Sequence, residues 1–340
     1  MKQQILFIIN PISGTDKKVL VRQAIQKLLD RDKYDYTVRY TSHGGHAEEL
    51  AREAAAAGVP IVCAVGGDGT VNEVARAIVH TPTALGIIPC GSGNGLARHL
   101  QIPMDPVRAV EVLNAGVIHS LDYGRINGQP FFCTCGMGFD AFVSQRFSES
   151  GKRGFVSYVE NTLREGLNYR PDTYTVENEN GTILGKAFLI ACANASQYGN
   201  NAFIAPHASM KDGLMDVTII EPFSTLESGQ IALQLFTGTL PSNSHVKTFR
   251  ARKLHIERQH PGAIHVDGDP IEAGREFDVE LIAGQFRVVV NPKAKSKKRT
   301  LLQFISDYIR DPENFQADIR RSGQSLYTIN KSILELLKKL

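Results

Sequence analysis

No excess of one charge marks this chain of 340 residues: 38 lysines and arginines stand against 35 aspartates and glutamates, for a formal net charge of +3. The sequence also lacks a basic stripe with interleaved aromatic residues, the pattern expected of a nucleic-acid-binding surface. We therefore expect no nucleic-acid partner. Neither composition nor pattern specifies an oligomeric state.

Long apolar runs are missing as well. No stretch reaches the roughly 18 apolar residues of a membrane-spanning helix. The apolar run at residues 5–9, close behind Met1, is too short for a secretory signal. Cysteine is scarce, and its spacing is typical neither of a disulfide framework nor of a zinc site. The five cysteines are Cys63, Cys90, Cys133, Cys135 and Cys192. We therefore predict a cytoplasmic protein with reduced thiols.

The order of apolar patterns changes once along the chain. Strand patterns come first in alternation with helical ones, at 4–9, 17–29, 36–40, 47–57, 61–65, 71–79 and 85–88. Such alternation predicts a parallel sheet with crossover helices. After about residue 117, short strands follow one another with turns between them, interrupted by helical patterns near 156–167 and 226–236. That part predicts a mostly antiparallel sandwich or barrel.

The predicted fold is therefore α/β, with a doubly wound nucleotide-binding domain followed by a mostly antiparallel β-sandwich domain. We place the first domain at 1–120 together with a final strand at 287–300, and the β-rich domain at 121–286. A helical C-terminal extension is predicted at 301–340. A ligand cleft is expected between the two domains.

Four polar or glycine-rich loops follow the predicted parallel strands. We call them the first loop (10–14), the second (41–46), the third (66–73) and the fourth (89–95). Ligands of open parallel sheets bind beyond the carboxyl ends of the strands, so these loops should meet at one rim.

The third loop has the strongest chemical pattern. Its glycines allow backbone N–H groups to approach a phosphate, and the helix behind it turns its positive end to the same point. Asp68 adds a carboxylate, which favours Mg²⁺ carried by a nucleotide. The alternative is a tight strand-to-helix turn with Asp68 as a cap. No Gly-x4-Gly-Lys-Ser/Thr motif, dinucleotide fingerprint or protein-kinase motif is present.

Taken in order, the motifs resemble the catalytic domain of diacylglycerol and sphingosine kinases, including bacterial lipid kinases. The resemblance covers about residues 2–292 and is carried by Asn10-Pro11-Ile12-Ser13-Gly14, Thr41 with Gly45-His46-Ala47, Gly66-Gly67-Asp68-Gly69-Thr70 with Asn72-Glu73, Pro89-Cys90-Gly91-Ser92-Gly93-Asn94 with Ala97-Arg98, Asn194, Pro206-His207-Ala208, Asp212-Gly213 and Val266-Asp267-Gly268.

The resemblance implies two kinds of binding residue. ATP would be bound by Asn10, Pro11, Ser13, Gly14, Thr41, Gly66, Gly67, Asp68, Gly69, Thr70, Asn72, Glu73, Gly91, Ser92 and Asn94. A structural Mg²⁺ would use the Asp212 carboxylate and the backbone carbonyls of Ser209 and Leu214. The alternative to this magnesium site is an ordinary turn between strands at Asp212-Gly213.

Asp267-Gly268-Asp269, which we call the acid turn, is the candidate place for the hydroxyl group that receives the phosphate. The family usually has Asp-Gly-Glu here, so this chain has a shorter acid at position 269. One carboxylate should accept the proton of a lipid hydroxyl, and we predict Asp269, Asp267 and Asp68 as catalytic residues. The alternative is a plain hairpin turn. For His265 we expect an exposed strand position rather than a proton shuttle.

The sequence thus predicts an ATP- and Mg²⁺-dependent lipid kinase that phosphorylates a hydroxyl of diacylglycerol or of a sphingoid-type lipid at the membrane surface. The alternatives are an NAD kinase or another small-molecule kinase, and a non-catalytic lipid or nucleotide sensor. The basic run 293–299 and the amphipathic stretches behind it either pack on the protein or a second subunit, or dock on an anionic membrane.

Overall fold

The computed structural model describes residues 2–12, 17–150 and 169–294, without the side chains of 17–19, 143 and 146–150. Helices and strands are numbered through these residues. Ser13 and Gly14 of the first loop, the helix predicted near 156–167 and the C-terminal extension lie outside them.

The N-terminal half is a parallel sheet flanked by helices. Its strands are β1 (Gln3–Ile9), β2 (Tyr34–Tyr40), β3 (Ile61–Gly66) and β4 (Ala84–Pro89), in the order β2-β1-β3-β4. The helices are α1 (Lys17–Leu28), α2 (His46–Ala56), α3 (Asp68–Ile78), α4 (Gly95–His99) and α5 (Pro106–Ala115). Helix α1 packs with α5 and α2 packs with α3. Every residue of β3 and β4 is buried, as expected of central strands covered on both faces.

The C-terminal half consists of antiparallel strands. They are β5 (Ile118–Ile126), β6 (Gln129–Phe131), β7 (Thr134–Gly138), β8 (Asp172–Asn178), β9 (Gly181–Ala187), β10 (Leu189–Ala193), β11 (Met215–Ile220), β12 (Val246–Ala251), β13 (Lys253–Arg258), β14 (Gly262–Val266), β15 (Asp269–Ala273) and β16 (Glu276–Val289). Helix α6 (Phe139–Ser150), helix α7 (Ser228–Thr237) and a short 3₁₀ helix (Leu240–Ser242) lie among them.

Six of these strands form a second sheet in the order β12-β11-β10-β7-β14-β15. The others extend the first sheet beyond β4 in the order β16-β13-β8-β9, with β5 beside β16 and β6 beside β5. Buried side chains from both sheets share one core, which includes Val176, Phe277, Cys135 and Val217. The predicted fold class, a doubly wound domain followed by an antiparallel sandwich, is confirmed.

Strand β16 connects the two halves. It pairs with β13 and β5, and its Val288 lies parallel to Leu85 of β4. The final strand predicted at 287–300 is the end of this longer strand, which has an irregularity between Ile282 and Phe286. Because β16 belongs to both halves, the residue limits given above for the two domains stay a prediction.

Candidate active site

The third and fourth loops touch through their backbones. Gly67 caps α3, and the helix begins at Asp68 rather than at the predicted residue 71. A Cβ added to Gly91 would lie 2.5 Å from the Cα of Gly67, too close for any side chain. The glycines of both loops are therefore required by contact between the loops as well as by access to a ligand.

Asp68 holds the two loops together. Its Oδ2 accepts the Asn94 N–H at 2.7 Å and its Oδ1 accepts the Gly95 N–H at 2.6 Å. Burial raises the pKa of the Asp68 carboxyl, while these two N–H groups act in the opposite direction. The Asp68 carboxylate thus links the third loop to the fourth by hydrogen bonds, whether or not it also binds a cation.

Other predicted binding residues join the first and second loops to the same rim. The Asn10 amide donates to Thr70 Oγ1 at 3.1 Å. The two Glu73 carboxylate oxygens accept the N–H groups of Gly45 and Ala47, each at 3.0 Å. These contacts bring three loops together, and they occupy both oxygens of Glu73.

The remaining predicted binding residues differ in accessibility. The Asn94 side chain closes its own loop by accepting the Gly91 N–H at 3.0 Å and donating to the Gly91 carbonyl at 2.6 Å. Thr41 is buried, whereas Pro11 and Ser92 are exposed. Ser92 is therefore a group of the fourth loop that can still reach a ligand.

Asn72 is the clearest sign of a missing partner. Its side chain is 4% exposed, yet neither its amide nitrogen nor its amide oxygen has a hydrogen-bond partner among the described residues. An unpaired buried polar group costs about 1–3 kcal/mol. Asn72 lines the main cavity together with Asp68 and Ser92. The site is therefore suited to a polar ligand that both donates and accepts there.

The acid turn is the tip of the β14–β15 hairpin. Asp267 and Gly268 both have positive φ, 51° and 91°, as a two-residue type I′ turn requires. The Asp267 carboxylate accepts three backbone N–H groups, those of Phe132 at 2.8 Å, Cys133 at 2.7 Å and Thr134 at 3.0 Å. Burial raises the pKa of Asp267 to about 6, and the three N–H groups oppose that shift.

Asp269 is placed differently. No described residue donates a hydrogen bond to its carboxylate, which opens onto the same cavity as Asp68 and Asn72. Partial desolvation raises the pKa of the Asp269 carboxyl; the nearby Arg76 guanidinium opposes this shift and Glu73 adds to it. Of the two acids in the turn, Asp269 is therefore the one with free acceptor positions.

The expectation for His265 was wrong, because the residue is 1% exposed. Strand β14 lies between β7 and β15, and α6 packs over it. The His265 Nε2 lies 2.9 Å from Asp140 Oδ2, which also accepts the Tyr198 hydroxyl at 2.9 Å. All three residues line the main cavity.

The cavity continues into an apolar chamber that sequence reasoning missed. The whole cavity, including this chamber, has a volume of about 770 Å³. The chamber is lined by Phe139, Phe188, Leu189, Ile220, Phe223, Ile231, Ala232, Leu235, Phe236 and Leu240. These residues come from α6, β10, β11, α7 and the connecting segments, so no local motif marks them. One cavity thus joins the glycine loops, the acid turn and an apolar space.

The predicted magnesium turn is held to β5, because the Asp122 N–H donates to the Met210 carbonyl at 2.8 Å and Asp122 Oδ2 accepts the Gly213 N–H at 2.9 Å. The Asp212 carboxylate lies 3.5 Å from Arg250. Among the described residues no group of three or more His, Cys, Asp or Glu side chains could hold a metal. The site at Ser209, Asp212 and Leu214 therefore stays a prediction.

Within the described part of the chain, no helix is long and apolar enough to cross a membrane.

Family models match nearly the whole described part. Residues 4–126 match the diacylglycerol kinase catalytic domain, and residues 133–290 match the YegS C-terminal NAD kinase β-sandwich-like domain. These two matches define the class of protein as a kinase with a catalytic α/β domain ahead of a β-sandwich.

Two curated relatives agree with this class, and a solved structure shares the fold. The chain is 30% identical over 297 residues to the "Probable lipid kinase YegS" of Escherichia coli O17:K52:H18 (strain UMN026), covering 84% of this chain and 96% of that protein. It is 30% identical over 256 residues to the "Probable lipid kinase YegS-like" protein of Chromohalobacter salexigens, covering 74% and 82%. A Bacillus anthracis structure that carries the name diacylglycerol kinase has a similar fold, with a TM-score of 0.73, 23% identity, and coverage of 85% of this chain and 96% of that one.

The chain belongs to the YegS-like family of lipid kinases, within the diacylglycerol kinase group. It is an enzyme, a lipid kinase, so the resemblance predicted from the glycine loops is confirmed. Membership of a kinase family also makes ATP its expected phosphate donor.

The tie at Asp68 can be tested by substitution. Asp68→Asn removes one of two accepting oxygens and turns an amide donor toward another donor. We expect the free energy of unfolding to fall by about 1–3 kcal/mol and turnover to fall by about two orders of magnitude. Chemical denaturation and a phosphotransfer assay measure the two effects.

Asp105→Asn is the matched control, because Asp105 also accepts a backbone N–H, that of Arg108 at 3.0 Å, but does so at the start of α5 outside the cavity. If the two variants behaved alike in stability and turnover, the role given to Asp68 would be wrong.

Proposed function

We propose that the enzyme transfers the γ-phosphoryl group of Mg·ATP to a hydroxyl group of a long-chain lipid, either diacylglycerol or a sphingoid-type lipid. The observation that carries the proposal is the single cavity whose lining includes Asn72 and Ser92, the acid turn and the apolar chamber. A phosphate donor and an apolar chain would then meet at one carboxylate.

The polar end of the cavity is suited to the ATP phosphates. Backbone N–H groups at the start of α3 and the unpaired amide of Asn72 offer donors to phosphate oxygens. Mg²⁺ accompanies ATP as part of the substrate and neutralises charge that develops on the phosphates. The protein's own contribution here is mainly positioning and electrostatic stabilisation.

We assign Asp269 as the general base. The lipid hydroxyl gives its proton to the Asp269 carboxylate while its oxygen bonds to the γ-phosphorus, and the bond from that phosphorus to the bridging oxygen of ATP breaks to release ADP. Desolvation raises the pKa of Asp269, and a carboxylate with a raised pKa accepts a proton more readily. Asp267, whose oxygens accept three backbone N–H groups, is instead assigned a structural role: it fixes the conformation of the turn.

The chamber also argues against NAD as the phosphate acceptor. Side chains such as Phe139, Phe188 and Leu235 match an alkyl chain, whereas the riboses and phosphates of NAD need polar partners. Catalytic family membership disfavours a non-catalytic sensor.

The lipid assignment is tested by offering labelled ATP with diacylglycerol, monoacylglycerol, a sphingoid base, ceramide or NAD. We expect label in at least one lipid and none in NAD. Ala232→Phe should fill part of the chamber and raise the KM for that lipid about tenfold or more, because overpacking costs about 1–3 kcal/mol, without changing the KM for ATP. Ala56→Phe, at an exposed position of α2, is the control. Label in NAD alone would reject the lipid assignment.

The roles of Asp267 and Asp269 can be distinguished by comparing the kcat and the unfolding temperature of their Asn variants. Asp269→Asn should lower kcat at least about 100-fold by removing the base, with little change in the KM for ATP or in thermal stability. Asp267→Asn should lower the unfolding temperature as well, because its three N–H donors lose an ionised acceptor. Asp278→Asn, an exposed acid of β16, is the control. A stable Asp267→Asn without activity beside an active Asp269→Asn would reverse the assignment.

A bilayer substrate also requires contact with a membrane. We propose that Leu226 makes this contact, since it is 96% exposed and lies between Thr225 and Ser228, which line the cavity. The basic run 293–299, most of it beyond the described residues, is the other candidate.

Vesicle co-sedimentation distinguishes the two places. Leu226→Asp should weaken binding about tenfold, because burying a leucine side chain contributes about 1.5–3 kcal/mol. Leu184→Asp, on the edge strand β9 and 71% exposed, should bind normally. If binding were lost only when Lys295, Lys297, Lys298 and Arg299 are changed to Glu, the contact would lie in the C-terminal run and not at Leu226.

A further inference from the structure

Three side chains in the cavity wall have no part in the transfer step described above. Asp140, at the start of α6, is 7% exposed, and His265 of β14 is 1% exposed. Tyr198 is half-buried in the loop that follows β10. Its hydroxyl and the His265 ring converge on one oxygen of Asp140, each at 2.9 Å. Such a buried polar network, with its partners satisfied, fixes its members in one arrangement.

The contacts of His265 define its tautomer. Its Nδ1 faces the Gly268 N–H at 3.4 Å, so that nitrogen acts as an acceptor. The Nε2 then carries the proton and donates it to Asp140. Space for this contact depends on Gly136, where a Cβ would lie 2.4 Å from Asp140 Oδ2 and 2.7 Å from His265 Nε2.

The loop that carries Tyr198 rests on the nucleotide side of the site. The Asn200 N–H donates to the Gly93 carbonyl of the fourth loop at 3.2 Å. The Ser196 N–H donates to His99 Nδ1 of α4 at 3.0 Å. Burial lowers the pKa of His99 to about 4, which keeps that nitrogen an acceptor at neutral pH. The network therefore touches the fourth loop at one end and the acid turn at the other.

We infer that Tyr198, Asp140 and His265 are positioning residues that hold the acid turn in register with the nucleotide loops. The inference rests on the proposed function, because it gives the network the task of placing Asp269. The Gly268 N–H is the contact through which His265 acts, and Asp269 is the next residue. A displacement of about 1 Å at a reacting group can lower a rate about 100-fold.

Two substitutions of His265 separate positioning from packing. In His265→Asn the side-chain oxygen can occupy the place of Nδ1 and accept the Gly268 N–H, while the contact with Asp140 is lost. In His265→Gln the amide can reach Asp140, while the acceptor for Gly268 is lost. We expect kcat of the Gln variant to fall at least about tenfold below that of the Asn variant, with equal KM for ATP. Equal kcat in the two variants would overturn the inference.

Asp140→Asn adds a test of the tautomer. An asparagine amide can donate to Nε2 and so favour a proton on Nδ1, which would then face the Gly268 N–H as a second donor. We expect lower kcat, unchanged KM for ATP and faster amide exchange at Gly268, measured by hydrogen exchange. His255→Asn and His255→Gln are controls, because His255 pairs with Asp278 at 2.8 Å at a partly exposed position of β13, outside the cavity. Normal exchange and normal kcat in Asp140→Asn would overturn the inference.

Hydrogen exchange does not depend on the lipid. If the wild-type protein phosphorylated no lipid while the Gln variant still exchanged faster at Gly268 than the Asn variant, the proposed function would fail and the positioning role would stand. Should a His265 variant not fold, Tyr198→Phe keeps the ring and removes only the hydroxyl. It should lower kcat without changing the KM for ATP, and an unchanged kcat would count against the network.

Discussion

Backbone N–H groups bound by carboxylates hold this site together. Asp68 joins the third and fourth loops, Glu73 joins α3 to the second loop, and Asp267 joins the acid turn to the segment before β7. Each carboxylate is satisfied by donors that a change of neighbouring side chains would not remove. Because these acids are occupied in this way, Asp269 differs from them in keeping its acceptor positions free toward the cavity.

The two acids of the acid turn are placed differently. Asp267 and Asp269 are separated by one glycine, yet the turn directs one carboxylate to three N–H groups and the other to the cavity. The family's usual glutamate at the second position has one more methylene. In this chain the shorter Asp269 makes the position of the turn itself more important, since less of the reach comes from the side chain.

Much of this arrangement follows from local sequence. The glycine loops and the acid turn are contiguous motifs, and strand-helix alternation identifies the parallel sheet. The helix α5 was not predicted, although Asp105 and Pro106 form a recognisable start for it. The burial of His265 could not be derived from sequence. Alternation along β14 distinguishes two faces of the strand but does not show that α6 covers one of them. The chamber is likewise invisible in sequence, since Phe139, Ile220 and Leu235 meet only through tertiary packing.

The shared strand β16 has a consequence for how the chain can be divided. Its end covers β4, whose residues Ala84–Pro89 are all buried. A fragment that stopped after the catalytic-domain match at residue 126 would leave the outer edge of β4 without its partner. An unpaired apolar edge strand is a template for association with other chains. The outer edge of β4 in the nucleotide half is therefore protected by a strand that the chain supplies only at the end of the second half.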